Sequence, residues 1–381
     1  MNGSKKSMFV LLIGLILFGY GCTRGITVET GQEKIELTGF KAVEGQHCES
    51  TSIMNALNYQ GVPLSEEMIN GLAGSISFAF VTEGGFPFLG GRTMSFLENF
   101  SKTTGLKYVA IKPETSQQAY DEAKKILKRG IPVILRVDMR YLPYRWNGEY
   151  GDKYTSFGWH FVTLIKLDET TGEAWVTDNP GNGVRSIEKI RIADLMKARN
   201  SEEGMLKADN FYYYFPEPQQ TKIDYAVALK SSMAIVIDNY QKSTGVLKGL
   251  QRFPGQIRDI ENLIETKYVL EPLFFTFHGF IETFGTGGAA FRNFYRDFLL
   301  EAGRKTNNPR VTEVALLMDE AGKKWRNLAM EFKTISETIK QHYGYPQKRE
   351  KLYLKAGLLA EELYLAESRF AVGLEKLFQT L

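Results

Sequence analysis

The chain is poor in cysteine and histidine, with two and four among its 381 residues. Two cysteines allow at most one disulfide and exclude a cysteine-rich zinc site. The histidines form no spaced pair with glutamate of the kind that metal hydrolases use. We therefore expect neither a metal nor a cofactor, and the chemistry must come from ordinary side chains.

The sequence also lacks an excess of one charge, internal repeats and low-complexity segments. Its formal net charge is +3, without the basic run that nucleic-acid binding usually requires. We therefore expect no nucleic-acid partner. With 43% hydrophobic and 24% charged residues, the composition is that of a globular protein with enough apolar residues for a core. The length suggests two or three domains.

The N-terminal apolar run, Met8 to Phe18, is short against the about 20 residues of a membrane-spanning helix. Lysines precede it, and small residues lead from it to Cys22, as in the export signal of a bacterial lipoprotein. We expect residues 1–22 to be a lipoprotein-type signal peptide and residues 23–39 a tether. The protein would then be exported and anchored to a bacterial membrane through a lipid on Cys22. Simple secretion and a transmembrane anchor are the alternatives.

Lipidation of Cys22 would leave Cys48 as the one thiol of the mature protein. Cys48 stands just before a helical pattern, with residues 50–52 as candidate N-caps and Gly61 as a candidate stop. A helix N-terminus and a nearby imidazole both lower the pKa of a thiol and so make it nucleophilic. Cys48 is therefore the candidate nucleophile, although a lone cysteine can also be a small buried apolar residue.

A base and an orienting group follow in a predicted hairpin. His160 begins the predicted strand 160–167, and Asp178 and Asn179 follow the predicted strand 173–177. Paired antiparallel strands bring residues at neighbouring ends side by side. We expect His160 to act as base and Asp178, or else Asn179, to orient it, in the Cys–His–acid order of papain-like enzymes.

Several nearby residues are candidate auxiliaries. His47 could bond locally, line the site or act as the base itself. The side chain of Gln46 and the backbone N–H of Cys48 are candidate oxyanion donors, the second being the safer geometry. Asn179 is a further auxiliary. Arg92, Trp146 and Trp159 are candidate substrate-binding residues; the two tryptophans lie in an aromatic loop, 141–159, that is either a lid or a surface loop.

The remaining patterns predict an α+β domain followed by an all-helical one. Further strands are predicted within residues 40–216 at 106–111, 132–137, 187–190 and 211–215, and one strand, 34–37, is predicted just before them. Helices of the same domain are predicted at 65–73, 92–103, 117–128 and 193–198. Residues 217–381 carry helices at 222–243, 255–268, 271–283, 289–303, 310–342 and 348–379. Residues 285–290 fit a dinucleotide fingerprint in letters alone; without a strand–turn–helix context, they predict a flexible turn.

The two parts resemble one known two-domain architecture. The first resembles the N-terminal domain of the butirosin-biosynthesis protein H family over about Phe40 to Pro216, and the second its helical companion domain of unknown function. The residues that carry the resemblance are His47-Cys48-Glu49-Ser50-Thr51-Ser52, Asn55, Tyr59, Gly61, Leu64-Ser65-Glu66, Gly71-Leu72, Gly90-Gly91-Arg92, the strands of His160 and Asp178, Gly287-Gly288-Ala289-Ala290-Phe291-Arg292, Tyr295, Asp297-Phe298-Leu299 and Glu301-Ala302.

The resemblance implies a papain-like fold related to cysteine peptidases, and an acyltransferase that moves an acyl group from a carrier-protein thioester to an aminoglycoside amine. It implies Cys48 as nucleophile, His160 as base and Asp178 as orienter. The export signal departs from this picture, because acyl carrier proteins are cytoplasmic.

We therefore expect thiol-dependent acyl transfer, or amide or peptide hydrolysis, through an acyl-cysteine intermediate. The substrate would be a small-molecule or peptide acyl compound. The alternative is a non-catalytic surface lipoprotein that binds a ligand or a protein partner.

Overall fold

The structure is a computed structural model that describes residues 26–28, 33–82, 87–180, 183–204, 206–216, 222–264, 269–342 and 346–381. The predicted signal peptide with Cys22 lies outside the described residues, as do parts of the predicted tether and the first residues, 217–221, of the predicted helical domain. Among the described residues, no helix is both long enough and apolar enough to cross a membrane.

The described residues form ten strands and eleven α-helices. The strands are β1 (Ile26–Val28), β2 (Lys34–Leu37), β3 (Ile76–Val81), β4 (Phe88–Arg92), β5 (Val109–Ile111), β6 (Val133–Val137), β7 (His160–Asp168), β8 (Glu173–Thr177), β9 (Ile187–Arg191) and β10 (Tyr212–Tyr214). The helices are α1 (Cys48–Tyr59), α2 (Glu66–Leu72), α3 (Phe96–Thr104), α4 (Ser116–Leu127), α5 (Ile192–Arg199), α6 (Tyr225–Gln241), α7 (Val246–Arg258), α8 (Leu270–Glu282), α9 (Arg292–Thr306), α10 (Pro309–His342) and α11 (Pro346–Phe378).

An antiparallel sheet organises the first part, with β7 at its centre. Strands β6 and β2 pair along one edge of β7, and β8 pairs along the other. The sheet continues from β6 through β10 to β5, and from β8 to β9, while β3 and β4 form a separate hairpin. The α+β expectation for this part is confirmed. The long strand β7 carries almost only buried residues, as expected for the middle of a covered sheet.

Helix α1 packs directly on β7, and the Thr163 hydroxyl donates to the carbonyl of Ser52 at 3.4 Å. The apolar residues on this side of the sheet belong to one cluster that continues through α2 and α3 into helices α6 to α11. Helices α4 and α5 cover the other side with a second cluster. Helix α1 therefore lies between the sheet and the helical part, where its N-terminus can be reached from both.

The helical part is closely joined to the first part. Gly71 of α2 lies so near α9 that a Cβ at this position would stand 1.8 Å from the ring of Phe298. Arg292, fully buried, pairs with Glu367 and donates to the carbonyls of Ser77 and Gly91 on the β3–β4 hairpin. A buried guanidinium requires such partners, so this ion pair fixes the hairpin on the helices.

Three predicted helix boundaries are wrong. The helix expected from Arg92 begins at Phe96, because Arg92 ends β4 in register with Ile76. Pro254 lies inside α7 instead of separating two helices; it is buried with Phe253 and Ile257, and this packing overrides the lost hydrogen bond. The helix expected from residue 289 begins at Arg292, after a left-handed turn.

Candidate active site

Cys48 is the first residue of α1 and is half-buried. The cap before it is His47, whose backbone is extended (φ −108°, ψ 126°) and whose Nδ1 accepts the backbone N–H of Ser50 at 3.3 Å. The sequence predicted caps at residues 50–52, but these residues already lie in the helix. An N-cap satisfies one of the open N–H groups of the first turn, so His47 shapes the helix end that carries the thiol.

A buried carboxylate on α2 holds the loop in front of Cys48. Glu66 accepts the backbone N–H groups of Gln46 at 2.7 Å and His47 at 2.8 Å. It also accepts the hydroxyls of Ser50 at 2.8 Å and Thr51 at 3.1 Å. Burial raises the pKa of Glu66, and these four bonds oppose the shift. The sequence indicated only that Glu66 belongs to a predicted helix at 65–73, so this role was missed.

His160 and Asp178 meet at one end of the β7–β8 hairpin. His160 begins β7 and Asp178 follows the last residue of β8, whose Thr177 pairs with Thr163. The Nε2 of His160 lies 2.7 Å from Oδ1 of Asp178, with both side chains buried. Cys48 is among the groups that raise the pKa of His160, so the thiol lies within range of the imidazole. Since Nε2 faces the carboxylate, Nδ1 is the ring nitrogen left for the thiol.

The charges at this site favour an imidazolium. Burial alone would lower the pKa of His160, but the Asp178 carboxylate opposes this and raises that pKa to about 9. Burial would likewise raise the pKa of Asp178, but His160 and Arg145 hold it down at about 2. His160 is therefore protonated and Asp178 ionised throughout the neutral range.

The aromatic loop supplies two partners of Asp178 that the sequence did not reveal. The guanidinium of Arg145 donates from Nη2 to Oδ1 at 2.5 Å and from Nε to Oδ2 at 3.0 Å. The hydroxyl of Tyr144 donates to Oδ2 at 2.9 Å. Both residues lie in or next to a 3₁₀ turn, Pro143–Arg145, within the predicted loop 141–159. The one available signal was an arginine among aromatic residues in a long loop just before the strand of His160.

His47 lies next to Cys48 and is held by a local hydrogen bond. Burial, followed by the nearby charges of Arg92 and His160, keeps its pKa well below the ordinary value. Its Nδ1 is occupied as a helix cap. Of the three roles considered for His47, the structure shows local hydrogen bonding.

The other auxiliary candidates, Gln46 and Asn179, lie in different environments. The side chain of Gln46 is exposed. Asn179 turns away from His160 and donates to the carbonyl of Gly45 at 3.1 Å and to the Thr51 hydroxyl at 3.2 Å. Asn179 therefore braces the loop, and Asp178 orients the imidazole. Within the described part of the chain, the backbone N–H of Cys48 meets no acceptor, which leaves it available to an oxyanion.

Comparison with protein families agrees with the resemblance. Residues 47–179 match the family model of butirosin biosynthesis protein H, N-terminal. This part of the chain is similar to that family. We call it the BtrH-type domain below. Residues 193–373 match a domain of unknown function, DUF4872, which we call the companion domain. A comparison with curated proteins gives no match.

The BtrH-type domain begins at His47 and ends at Asn179, so it includes Cys48, His160, Asp178 and Arg145. The companion domain begins at 193, whereas the sequence suggested a division at residue 217. Strand β10, which precedes residue 217, pairs with β5 and β6 of the main sheet. The division at 217 thus follows the sheet, and the division at 193 follows the family model.

The three candidate substrate-binding residues of the BtrH-type domain all have partners within the protein. Arg92 donates to the buried carboxylate of Glu49 at 2.7 Å and lies 4.5 Å from the Phe96 ring centroid. The half-buried Trp146 donates to the carbonyl of Met139 at 2.7 Å. Trp159, also half-buried, lies under the guanidinium of Arg136. Substrate binding by these residues stays a prediction.

Proposed function

We propose that this protein is a papain-like enzyme that transfers acyl groups through a thioester on Cys48. The observation that carries the proposal is the position of His160, which bonds to Asp178 through Nε2 and lies near enough to Cys48 for the thiol to influence its pKa. Nucleophilic catalysis by a thiol requires a base within hydrogen-bond reach and a third group that orients the base. The thiol itself is Cys48, the lone cysteine of the described residues, which stands at a helix N-terminus.

In the first step the Cys48 thiolate attacks the carbonyl carbon of the acyl donor. A carbon–sulfur bond forms, and the carbonyl π electrons move onto oxygen. When the tetrahedral intermediate collapses, the bond to the leaving group breaks, and the His160 imidazolium gives its Nδ1 proton to that group. An imidazolium with a pKa of about 9 carries this proton at neutral pH.

In the second step an amine or water attacks the thioester carbonyl of acyl-Cys48. His160, now neutral, takes the proton of the incoming nucleophile. The carbon–sulfur bond then breaks, which releases an amide or a carboxylic acid and restores the thiolate and the imidazolium. The Asp178 carboxylate stays ionised throughout and holds the ring in place, as orienting carboxylates do.

The oxyanion of both tetrahedral intermediates would be met by the backbone N–H of Cys48. Its open position at the helix terminus suits developing negative charge, because such N–H groups point along the helix axis. The exposed Gln46 side chain is the candidate second donor. Neighbouring N–H groups of Gln46 and His47 are taken by Glu66 and do not contribute.

The papain-like assignment is supported by the arrangement of elements around the site. The cysteine begins a helix that packs on an antiparallel sheet, and the histidine stands on the central strand of that sheet. The order Cys48, His160, Asp178 is also that of papain-like enzymes. The family name points to a biosynthetic setting, which favours a small-molecule or peptide acyl substrate and transfer to an amine over simple hydrolysis.

The test is mass spectrometry of the protein after incubation with a panel of activated thioesters, esters and amides. We expect an acyl adduct on the peptide that contains Cys48, released by added amine. Cys48→Ala should form no adduct, whereas Cys22→Ser should form it normally. Full activity of Cys48→Ala would overturn the proposal.

Iodoacetamide separates an enzyme from a non-catalytic binding protein. Fast alkylation of Cys48 at mildly acidic pH supports the enzyme. Alkylation that rises only near pH ~8.5, as for an ordinary cysteine, would support the binding protein. His160→Ala is the matched variant, because it removes the imidazole and leaves the residues of α1 unchanged.

We further propose that the protein is exported and held to a membrane by lipid on Cys22, from the pattern of residues 1–22. Metabolic labelling with a fatty-acid analogue should mark the wild-type chain and not Cys22→Ser. Labelling of both, or of neither, would contradict the anchor.

A further inference from the structure

A left-handed turn of the companion domain reaches the candidate active site. Ala289, Ala290 and Phe291 have φ angles of 52°, 49° and 70°, and all three are buried. L-residues rarely adopt this conformation, and three in succession persist only where the surroundings impose it. The turn directly precedes α9, and its first two residues belong to the flexible turn that the sequence predicts at 285–290.

Two groups hold the turn in this conformation. Glu282 accepts the backbone N–H of Ala289 at 3.2 Å, and the buried Arg292 donates to the carbonyl of Ala290 at 2.9 Å. Gly91 of β4 lies against the turn, where a Cβ would stand 2.8 Å from the Cβ of Ala290. The strained backbone is therefore fixed from both domains.

The turn contacts the residues just before Cys48. The Phe291 ring meets the His47 imidazole edge-on, with ring centroids 5.2 Å apart. Gly285 stands on the same side, where a Cβ would lie 3.3 Å from the Gln46 carbonyl oxygen. His47 also lies near Phe96 of α3, with centroids 6.2 Å apart. The helix cap is thus enclosed by one aromatic ring from each domain.

The cap works only while the Nδ1 of His47 is unprotonated, because an imidazolium cannot accept the N–H of Ser50. The charged groups that face His47 are Arg92 of β4 and His160 of β7, while Glu66 of α2 accepts its backbone N–H. Burial is the largest influence that keeps the ring neutral. Phe291 supplies part of that burial, and it comes from the companion domain.

We propose that Phe291 is a positioning residue for the nucleophile: its ring holds His47 in the capping orientation and thereby fixes the helix terminus that carries Cys48. The companion domain is then an integral part of the site. This inference rests on the proposed role of Cys48, yet it makes a separate claim about His47.

The experiment uses the series Phe291→Leu, Phe291→Val and Phe291→Ala in the full chain, with Phe275→Ala as control. Phe275 is an aromatic residue of the same domain that is 55% exposed. Selective labelling of the four histidines allows their titration to be followed by NMR. His278, whose Nδ1 lies 3.1 Å from the Ala329 carbonyl inside the companion domain, reports on correct folding.

We expect the pKa of His47 to rise along the series, by about one unit or more in Phe291→Ala. Alkylation of Cys48 at pH 6 should slow along the same series, by about tenfold in Phe291→Ala, and recover at a pH where His47 is neutral. In Phe291→Leu both the His47 pKa and the alkylation rate should stay nearest to the wild-type values. Phe275→Ala should match the wild type in both.

A flat His47 titration across those variants that keep a native His278 signal would overturn the inference. So would unchanged alkylation of Cys48 despite a raised His47 pKa. Because Phe291→Leu and Phe291→Val are mild truncations, the trend can be read even if Phe291→Ala does not fold. Failure of the acyl-cysteine proposal would instead appear in the wild type, as absence of an adduct on Cys48.

Discussion

Nη2 of Arg145 lies 3.1 Å from Nε2 of His160, and both atoms bond to Oδ1 of Asp178. Two cations thus share one carboxylate oxygen when His160 is protonated. Asp178 raises the pKa of His160 and Arg145 lowers it. Arg145 therefore limits how far the carboxylate raises the pKa of His160, and with it how strongly the imidazolium holds the Nδ1 proton that the leaving group must receive.

Replacing Arg145 by Met should raise the pKa of His160 further and shift the basic limb of acyl transfer to higher pH. The imidazolium becomes a weaker acid, so the rate at neutral pH should fall, by roughly tenfold. The measurement is the pH–rate profile together with NMR titration of His160. Arg140→Met is the control, because Arg140 lies just before the same loop and pairs with Glu203 instead. A basic limb that moves to lower pH would contradict this reading.

Replacing Asp178 by Asn should keep the orientation of His160 but remove the charge that raises its pKa. The basic limb, expected near the His160 pKa of about 9 in the wild type, should move towards the ordinary value of about 6.5. Asp178→Ala loses the orientation as well and should be much slower at every pH. If the basic limb of the pH–rate profile keeps its wild-type position in Asp178→Asn, the carboxylate does not control the pKa of the His160 imidazole.

The His160–Asp178 pair also predicts how the stability of the fold depends on pH. Because the pKa of His160 is raised on folding, its contribution is complete below about pH 6.5 and is lost as the pH rises through about 9. Its size is on the order of 3 kcal/mol, from the separation of the two values. Chemical unfolding between pH 6 and 10 should therefore show a falling free energy of unfolding in the wild type and a flatter course in Asp178→Asn. Equal slopes would contradict the linkage.

Sequence patterns predicted the three central residues because each depends on local structure. Cys48 begins an amphipathic helix, and His160 and Asp178 lie at neighbouring ends of a short hairpin, so periodicity and turn residues suffice. The α+β and all-helical halves were predictable for the same reason.

The supporting residues could not be predicted, because tertiary packing alone brings them to the site. Arg145 lies in an irregular loop, Glu66 on a different helix, and Phe291 in another domain after a backbone turn that alanine and phenylalanine do not signal. The cap assigned to residues 50–52 belongs to His47, because the helix already begins at Cys48. The hydroxyls of Ser50 and Thr51 bind Glu66 instead.

Replacing Glu66 by Gln should loosen the loop in front of Cys48. A glutamine side chain has one acceptor oxygen. Its amide nitrogen would face a backbone N–H group whose hydrogen bond the carboxylate now accepts. The loss of these bonds should cost about 1–3 kcal/mol of stability and slow alkylation of Cys48. Glu67→Gln is the matched control, since Glu67 is the next residue of α2 and does not contact the loop in the described structure. Equal alkylation rates in the two variants would argue against a role for Glu66.

The last prediction concerns Gly45, whose missing side chain allows the loop to pack on α1. A Cβ at this position would lie 2.2 Å from Oγ1 of Thr51 and 2.9 Å from Oε2 of Glu66. Gly45→Ala must therefore push the loop away from the carboxylate that holds the backbone of Gln46 and His47. We expect about 1–3 kcal/mol of destabilisation, as for other overpacked sites, and a slower reaction of Cys48 with iodoacetamide.

Gly255→Ala provides the control, because a Cβ at Gly255 of α7 meets no atom within 4 Å. That variant should be neutral or gain about 0.5–1 kcal/mol from the better helix propensity of alanine, with unchanged Cys48 reactivity. Denaturant unfolding and alkylation kinetics on both variants separate a local effect at the nucleophile from a general response to added methyl groups. If Gly45→Ala unfolds earlier while Cys48 reacts at the wild-type rate, the loop stabilises the fold without positioning the thiol.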